Sequence, residues 1–142
     1  MFGFERLNLW KKSMSFVEEI YKISKSFPKE ETFGVKMQIR RASISIVLNI
    51  AEGSGRKSKK EFSHFLTMAY GSLCEVISLL KICLTQKYIS NKVYIKLYEK
   101  GEEIAKMLSG TKSKIFHSQL STLNSKYKTS ISQLSTLNSK LK

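Results

Sequence analysis

The stretch "NIAEGSGRKSKKEF", Asn49 to Phe62, decides how the chain is read. An apolar run stops at Gly-Ser-Gly, passes four cations and resumes at Phe62. Glycines beside lysines can cradle a phosphate in an enzyme, or they can form a turn between two helices with a basic surface. A Walker-type cradle needs Gly, four residues, then Gly-Lys-Ser/Thr, with a strand before it. Here Arg56 separates Gly55 from Lys57, Ile50 stands five before Gly55, and the preceding residues repeat with helical period. A turn accounts for each residue instead. Gly53 is expected to take the left-handed conformation that ends a helix. Ser58 is placed to cap the next helix, and Glu61 completes the capping box "SKKE". The two helices joined here should be antiparallel neighbours.

The cations of this turn need a separate explanation. Arg56, Lys57, Lys59 and Lys60 surround a helix N-terminus, whose positive partial charge disfavours them. Together with free backbone N–H groups, they suit a phosphate or another anion. Arg40 and Arg41 form a second basic pair nearer the other end of the preceding helix. These six residues are the candidate contacts to a nucleic-acid backbone; a solvated basic loop is the plainer alternative.

Outward from this turn, apolar periodicity predicts three long helices and a shorter fourth. The first covers about 5–26 and ends at "SFPKEE", where Pro28 disfavours helix at Phe27. Glu30 and Glu31 then fall near the positive end of the second helix, about 31–52. Apolar residues surround most of that helix, which implies more than one packing neighbour. One polar stripe remains: Gln38, Arg41, Ser45, Asn49 and Glu52. It is either a solvated face or a seam between helices or subunits. The third helix is expected over about 59–87 and the fourth over about 91–109. Gly71 lies inside the third, where glycine costs about 1 kcal/mol relative to alanine, so a close helix–helix approach is expected there.

Residues 111–142 have a different character. "SQLSTLNSK" occurs at 118–126 and again at 132–140, two heptads apart. Ser, Thr and Asn are poor in helix interiors, so this basic, repeat-containing segment is expected to be a mostly disordered, low-complexity tail; the alternative is a weak helix or oligomer contact with Leu120, Leu123, Leu134 and Leu137 on one side.

The whole chain of 142 residues suits one domain, residues 1–110, plus that tail. A single proline and few turn signals favour helices over short strands. The net charge is +14, with no Asp; the tail holds six lysines and no acid, leaving +8 on residues 1–110. Such an excess favours anionic partners. The apolar runs look too short to span a bilayer, and no signal peptide is visible at the N-terminus, so a cytoplasmic location without membrane attachment is expected. Cys74 and Cys83 fit neither a zinc site nor a redox motif and are expected to be buried free thiols. His64 and His117 lack ligand partners. No enzyme activity, cofactor or metal site is expected.

Several segments in order carry a resemblance: "FERLNLW" at 4–10, "FPKEETFG" at 27–34, "QIRRASISI" at 38–46, "NIAEGSGRKSKKEFSHFL" at 49–66 and "AYGSLCE" at 69–75. Over residues 4–110 the chain resembles the bacterial four-helix-bundle family encoded in intervening sequences of large-subunit ribosomal RNA genes, sometimes labelled a ribosomal protein. It is also similar to the accessory variability protein of diversity-generating retroelements. The resemblance implies an all-α, up-and-down antiparallel bundle that assembles into a basic homopentamer. By motif, Arg40, Arg41, Asn49, Glu52, Gly53 and Arg56 are signature positions. Val47 stands where the family often has proline, so an unkinked second helix is expected. The function that follows is a non-enzymatic, oligomeric nucleic-acid-binding bundle, with RNA ahead of DNA as partner. The alternative is a protein-interaction scaffold, such as an accessory subunit of a reverse transcriptase or a ribosome-associated complex.

Overall fold

The computed structural model describes residues 1–141, and no strand occurs among them. Four helices carry the fold: α1 (Asn8–Ser24), α2 (Val35–Ser54), α3 (Lys59–Thr85) and α4 (Asn91–Lys140). Short 3-10 turns at Gly3–Arg6 and Lys29–Glu31 precede α1 and α2. Each helix packs on its neighbours in the chain, and α4 closes the ring against α1, while the backbones of the diagonal pairs stay apart.

Cross-helix contacts fix the directions. Between α2 and α3, Ser45 and Ser72 share a hydrogen bond of 2.9 Å and Gln38 donates to Glu75 at 3.3 Å. Between α3 and α4, Lys112 donates to Thr67 at 2.7 Å, while Gly101 lies against Ile77. Between α1 and α4, Lys12 pairs with Glu103 at 3.1 Å and Glu19 with Lys100 at 3.1 Å. In every pair, rising numbers on one helix meet falling numbers on the other. This is the expected all-α, up-and-down antiparallel four-helix bundle.

The helix starts follow local chemistry. Glu31 accepts from the Val35 N–H at 2.9 Å, satisfying one orphan donor at the positive end of α2. Its other oxygen takes the Tyr88 hydroxyl at 3.2 Å, which ties this start to the α3–α4 turn. Ser90 caps α4 by accepting from the Val93 N–H at 3.2 Å. The core is aliphatic, with Ile20, Ile39, Ile46, Leu66, Leu80 and Leu97 fully shielded from solvent. By length and composition α3 could cross a membrane, contrary to the expectation of short apolar runs. Leu66, Ala69, Leu73, Val76, Leu79, Leu80 and Cys83 point into the core, which accounts for part of that composition, while Met68, Tyr70 and Ile82 stay exposed.

Four local expectations differ from the structure. Gly53 is not a left-handed cap: it lies buried inside α2, and no residue of the α2–α3 turn has positive φ. A Cβ on Gly53 would stand 2.6 Å from the Phe65 Cβ, so close approach of α2 and α3 is what requires glycine. Gly71, assigned that role from sequence, faces open space, whereas a Cβ on Gly101 would come within 2.6 Å of Ile77. Cys83 is buried but Cys74 is exposed. Finally, the segment expected to be disordered continues α4 without a break through Gly110 to Lys140. Burial of Leu108 and Ile115 on either side carries the helix across that glycine, whose cost of about 1 kcal/mol is smaller than the gain from one buried aliphatic side chain.

Candidate nucleic-acid interface

The α2–α3 turn holds its cations in a defined frame. Ser58 accepts from the Glu61 N–H at 3.1 Å, and its hydroxyl donates to the Glu61 carboxylate at 3.2 Å. The cap is as expected, although Glu61 takes the Ser58 hydroxyl rather than its backbone N–H. Arg56 donates to Glu52 at 2.6 Å and lies 4.9 Å above the Phe65 ring. Its charge is thus met by a carboxylate, and its plane braces α2 against α3. Lys57, Lys59 and Lys60 are exposed, and none forms an ion pair among the described residues. Lys59 donates to the Ser118 hydroxyl of α4, a neutral partner that leaves its charge uncompensated.

That contact brings α4 into the site. Farther along the same two helices, about two turns away, runs an open groove of about 470 Å³ between α3 and α4, lined by Thr67, Tyr70, Lys106, Ser109 and Lys112 among others. Lys106 and Lys112 also lack a carboxylate partner among the described residues. The sequence reading missed Lys112 and Ser118 because it ended the fourth helix at 109. An α4 continued past Gly110 and antiparallel to α3 sets Lys112 opposite Thr67. The seam between α1 and α4 is the reverse case. There Lys12 meets Glu103, while Lys96 and Lys100 both meet Glu19. The Lys100 hydrogen bond, joined by the charges of Lys100 and Lys96, holds the Glu19 carboxyl below its ordinary range despite partial burial.

The geometry can now be set beside known proteins. The model of the 23S rRNA-intervening sequence protein family matches residues 5–110. The chain belongs to this family. A crystal structure from Bacteroides thetaiotaomicron, described as a protein with unknown function from the S23 ribosomal protein family, superposes with a TM-score of 0.68. It is 26% identical, over 73% of this chain and 97% of that one. No curated protein matches.

Within this intervening-sequence-protein bundle, the signature positions divide into distinct roles. Arg40 donates to Ser24 at 2.7 Å and to the Tyr21 carbonyl at 3.3 Å, with its guanidinium 4.4 Å above the Tyr21 ring. It clamps α1 to α2. Arg41 is exposed and, with Lys36, borders a shallow hollow of about 320 Å³. About 24 Å of helix separates Arg40 from Arg56, so the two basic groups form separate sites. Asn49 donates to the Ser45 carbonyl at 2.8 Å, and Ser45 reaches Ser72. The polar stripe therefore meets α3 at Gln38 and Ser45, while Asn49 holds Ser45 from within α2. Arg41 lies outside it, and Glu52 turns to Arg56.

Proposed function

We propose that the protein is a non-enzymatic, oligomeric nucleic-acid-binding bundle of the cytoplasm that grips phosphates through its basic surface, with RNA ahead of DNA. A cluster of uncompensated lysines on the α2–α3 turn and the facing stretch of α4 carries this reading. Carboxylates neutralise the α1–α4 seam, whereas Lys57, Lys59, Lys60, Lys106 and Lys112 have no carboxylate partner among the described residues. Unpaired ammonium groups beside an open groove suit a phosphodiester backbone, with little reading of bases. Tyr70, about half exposed at the groove, offers a ring on which an unpaired base can stack. The family's description names an intervening sequence of 23S rRNA, which supports RNA. The resemblance to basic homopentamers adds a ring that would repeat this surface and strengthen its field.

The test is a salt titration of full-length protein against a structured RNA and a matched DNA duplex. The triple variant K57A/K59A/K60A should bind more weakly. The slope of log K against log salt should flatten by about 2–3, at roughly 0.7–0.9 per phosphate contact. R56A should change the slope less, because Glu52 already meets that charge. An unchanged slope in the triple variant would refute this site. Absence of RNA and DNA binding at low salt, with nuclease-resistant capture of a protein, would move the function to an interaction scaffold.

A further inference from the structure

Beyond Gln119 every described residue of α4 is exposed, so nothing in the chain itself supports the last part of this helix. Its sequence is rich in Ser, Thr and Asn, which form isolated helices poorly. Helices of such composition persist by burying an apolar face.

That face exists and is unpartnered. Phe116, Leu120, Leu123 and Tyr127 follow one another at alternating spacings of four and three. After Ser130 the same spacing continues with Leu134, Leu137 and Leu141. These seven side chains are between 41% and 84% exposed. A 3.5-residue apolar period sustained over almost four heptads is the mark of a coiled coil rather than of a helix on a globular core. The repeat of "SQLSTLNSK" is offset by two whole heptads, so both copies set their leucines on the same stripe.

We propose that residues 116–141 form an antiparallel, two-stranded coiled coil with a second copy of this chain. Three features select that occupant and direction. When the strands run antiparallel, the first repeat of one copy lies along the second repeat of the other. Leu123 then faces Leu134, Leu120 faces Leu137, and bulky Tyr127 fills the space left by Ser130. A parallel pair would instead set Tyr127 against Tyr127 and leave Ser130 against Ser130, a poorer fit of volumes. Charge gives the same direction. Residues 1–110 carry +8, and antiparallel strands put the two basic bundles at opposite ends of about 38 Å of helix, several Debye lengths apart at physiological salt. The area also suffices. At about 100 Å² per apolar side chain, seven from each copy bury about 1,400 Å², inside the roughly 1,200–2,000 Å² of stable specific interfaces.

Sedimentation and cross-linking test the pairing on the full chain. The variant L120S/L123S/L134S/L137S alters only side chains outside the packed bundle. It should lower the wild-type sedimenting mass, to half where the bundle itself is monomeric and to that of the bundle's own assembly otherwise, together with the helical circular-dichroism signal of the tail. In a C74S background, an L123C chain mixed with an L134C chain should form the mixed disulfide in preference to either homodimer. An outward-facing S125C chain should cross-link slowly. Salt should strengthen the association, because every charged side chain of residues 111–142 is a lysine; nucleic-acid binding has the opposite salt dependence. Equal masses for wild type and the quadruple variant would overturn the proposal. So would faster homodimer than mixed cross-linking, which would mean a parallel pair, or equal rates at all three cysteine positions.

Discussion

Replacing Gly53 with alanine probes how the basic turn is held. In most helices this change stabilises, by about 1 kcal/mol, because alanine is the better helix former. Here the added Cβ would stand 2.6 Å from the Phe65 Cβ and 2.9 Å from the Phe62 Cδ2. The first contact is about 0.8 Å shorter than the 3.4 Å at which ordinary contact begins. A Phe Cβ is anchored to its backbone and cannot swing aside as a long side chain does. The end of α2 must therefore move away from the start of α3. Overpacking of this kind costs about 1–3 kcal/mol, and the rigid neighbour puts Gly53 in the upper part, about 2–3. After the gain in helix propensity, G53A should be less stable by about 1–2 kcal/mol. Gly71 and Gly110 are the controls, since a Cβ at either meets nothing within 4 Å. G71A and G110A should be stabilised by up to about 1 kcal/mol. Urea unfolding at one fixed protein concentration, followed by circular dichroism and Trp10 fluorescence, measures all three. A G53A protein as stable as wild type would refute the close-approach account.

Two further measurements test burial and charge. A thiol reagent added to folded protein should titrate Cys74 at once. Cys83 should react only on unfolding, because burial first, and the charge of Glu31 second, push its thiol up to about 11; two equally fast thiols would contradict the packing of α3. For Glu19, lowered in the folded state by Lys100 and Lys96, the unfolded chain binds the proton more readily. Its contribution to stability is therefore complete above the ordinary glutamate range and is lost as pH falls through the lowered folded value. The E19Q variant should show a shallower acid loss of stability than wild type. Identical acid limbs would mean that the pairs of Glu19 with Lys96 and Lys100 contribute nothing.

Much of the fold was legible because its causes are local. Ser58 and Glu61 announce a helix start in four residues, and Pro28 with Glu30 and Glu31 announces another. The stripe of Gln38, Ser45 and Asn49 could be seen but not interpreted, since a polar line looks the same whether water or a neighbouring helix faces it. Arg56 and Arg40 likewise read as free cations. A carboxylate one turn away and an aromatic ring engage the first, and a serine and a tyrosine of α1 engage the second.

The sequence by itself determined the helical class, the presence of a turn between α2 and α3, the +14 charge and the family signature, because propensity, capping and composition act within a few residues of chain. Tertiary structure decided the rest. Close packing, not backbone conformation, made Gly53 and Gly101 necessary. Burial of Ile115 carried α4 beyond the expected end of the bundle. The antiparallel pairing of α3 with α4 then set Lys112 beside Thr67 and Lys59 beside Ser118. These contacts join residues more than forty positions apart, and no local preference encodes a meeting at that separation.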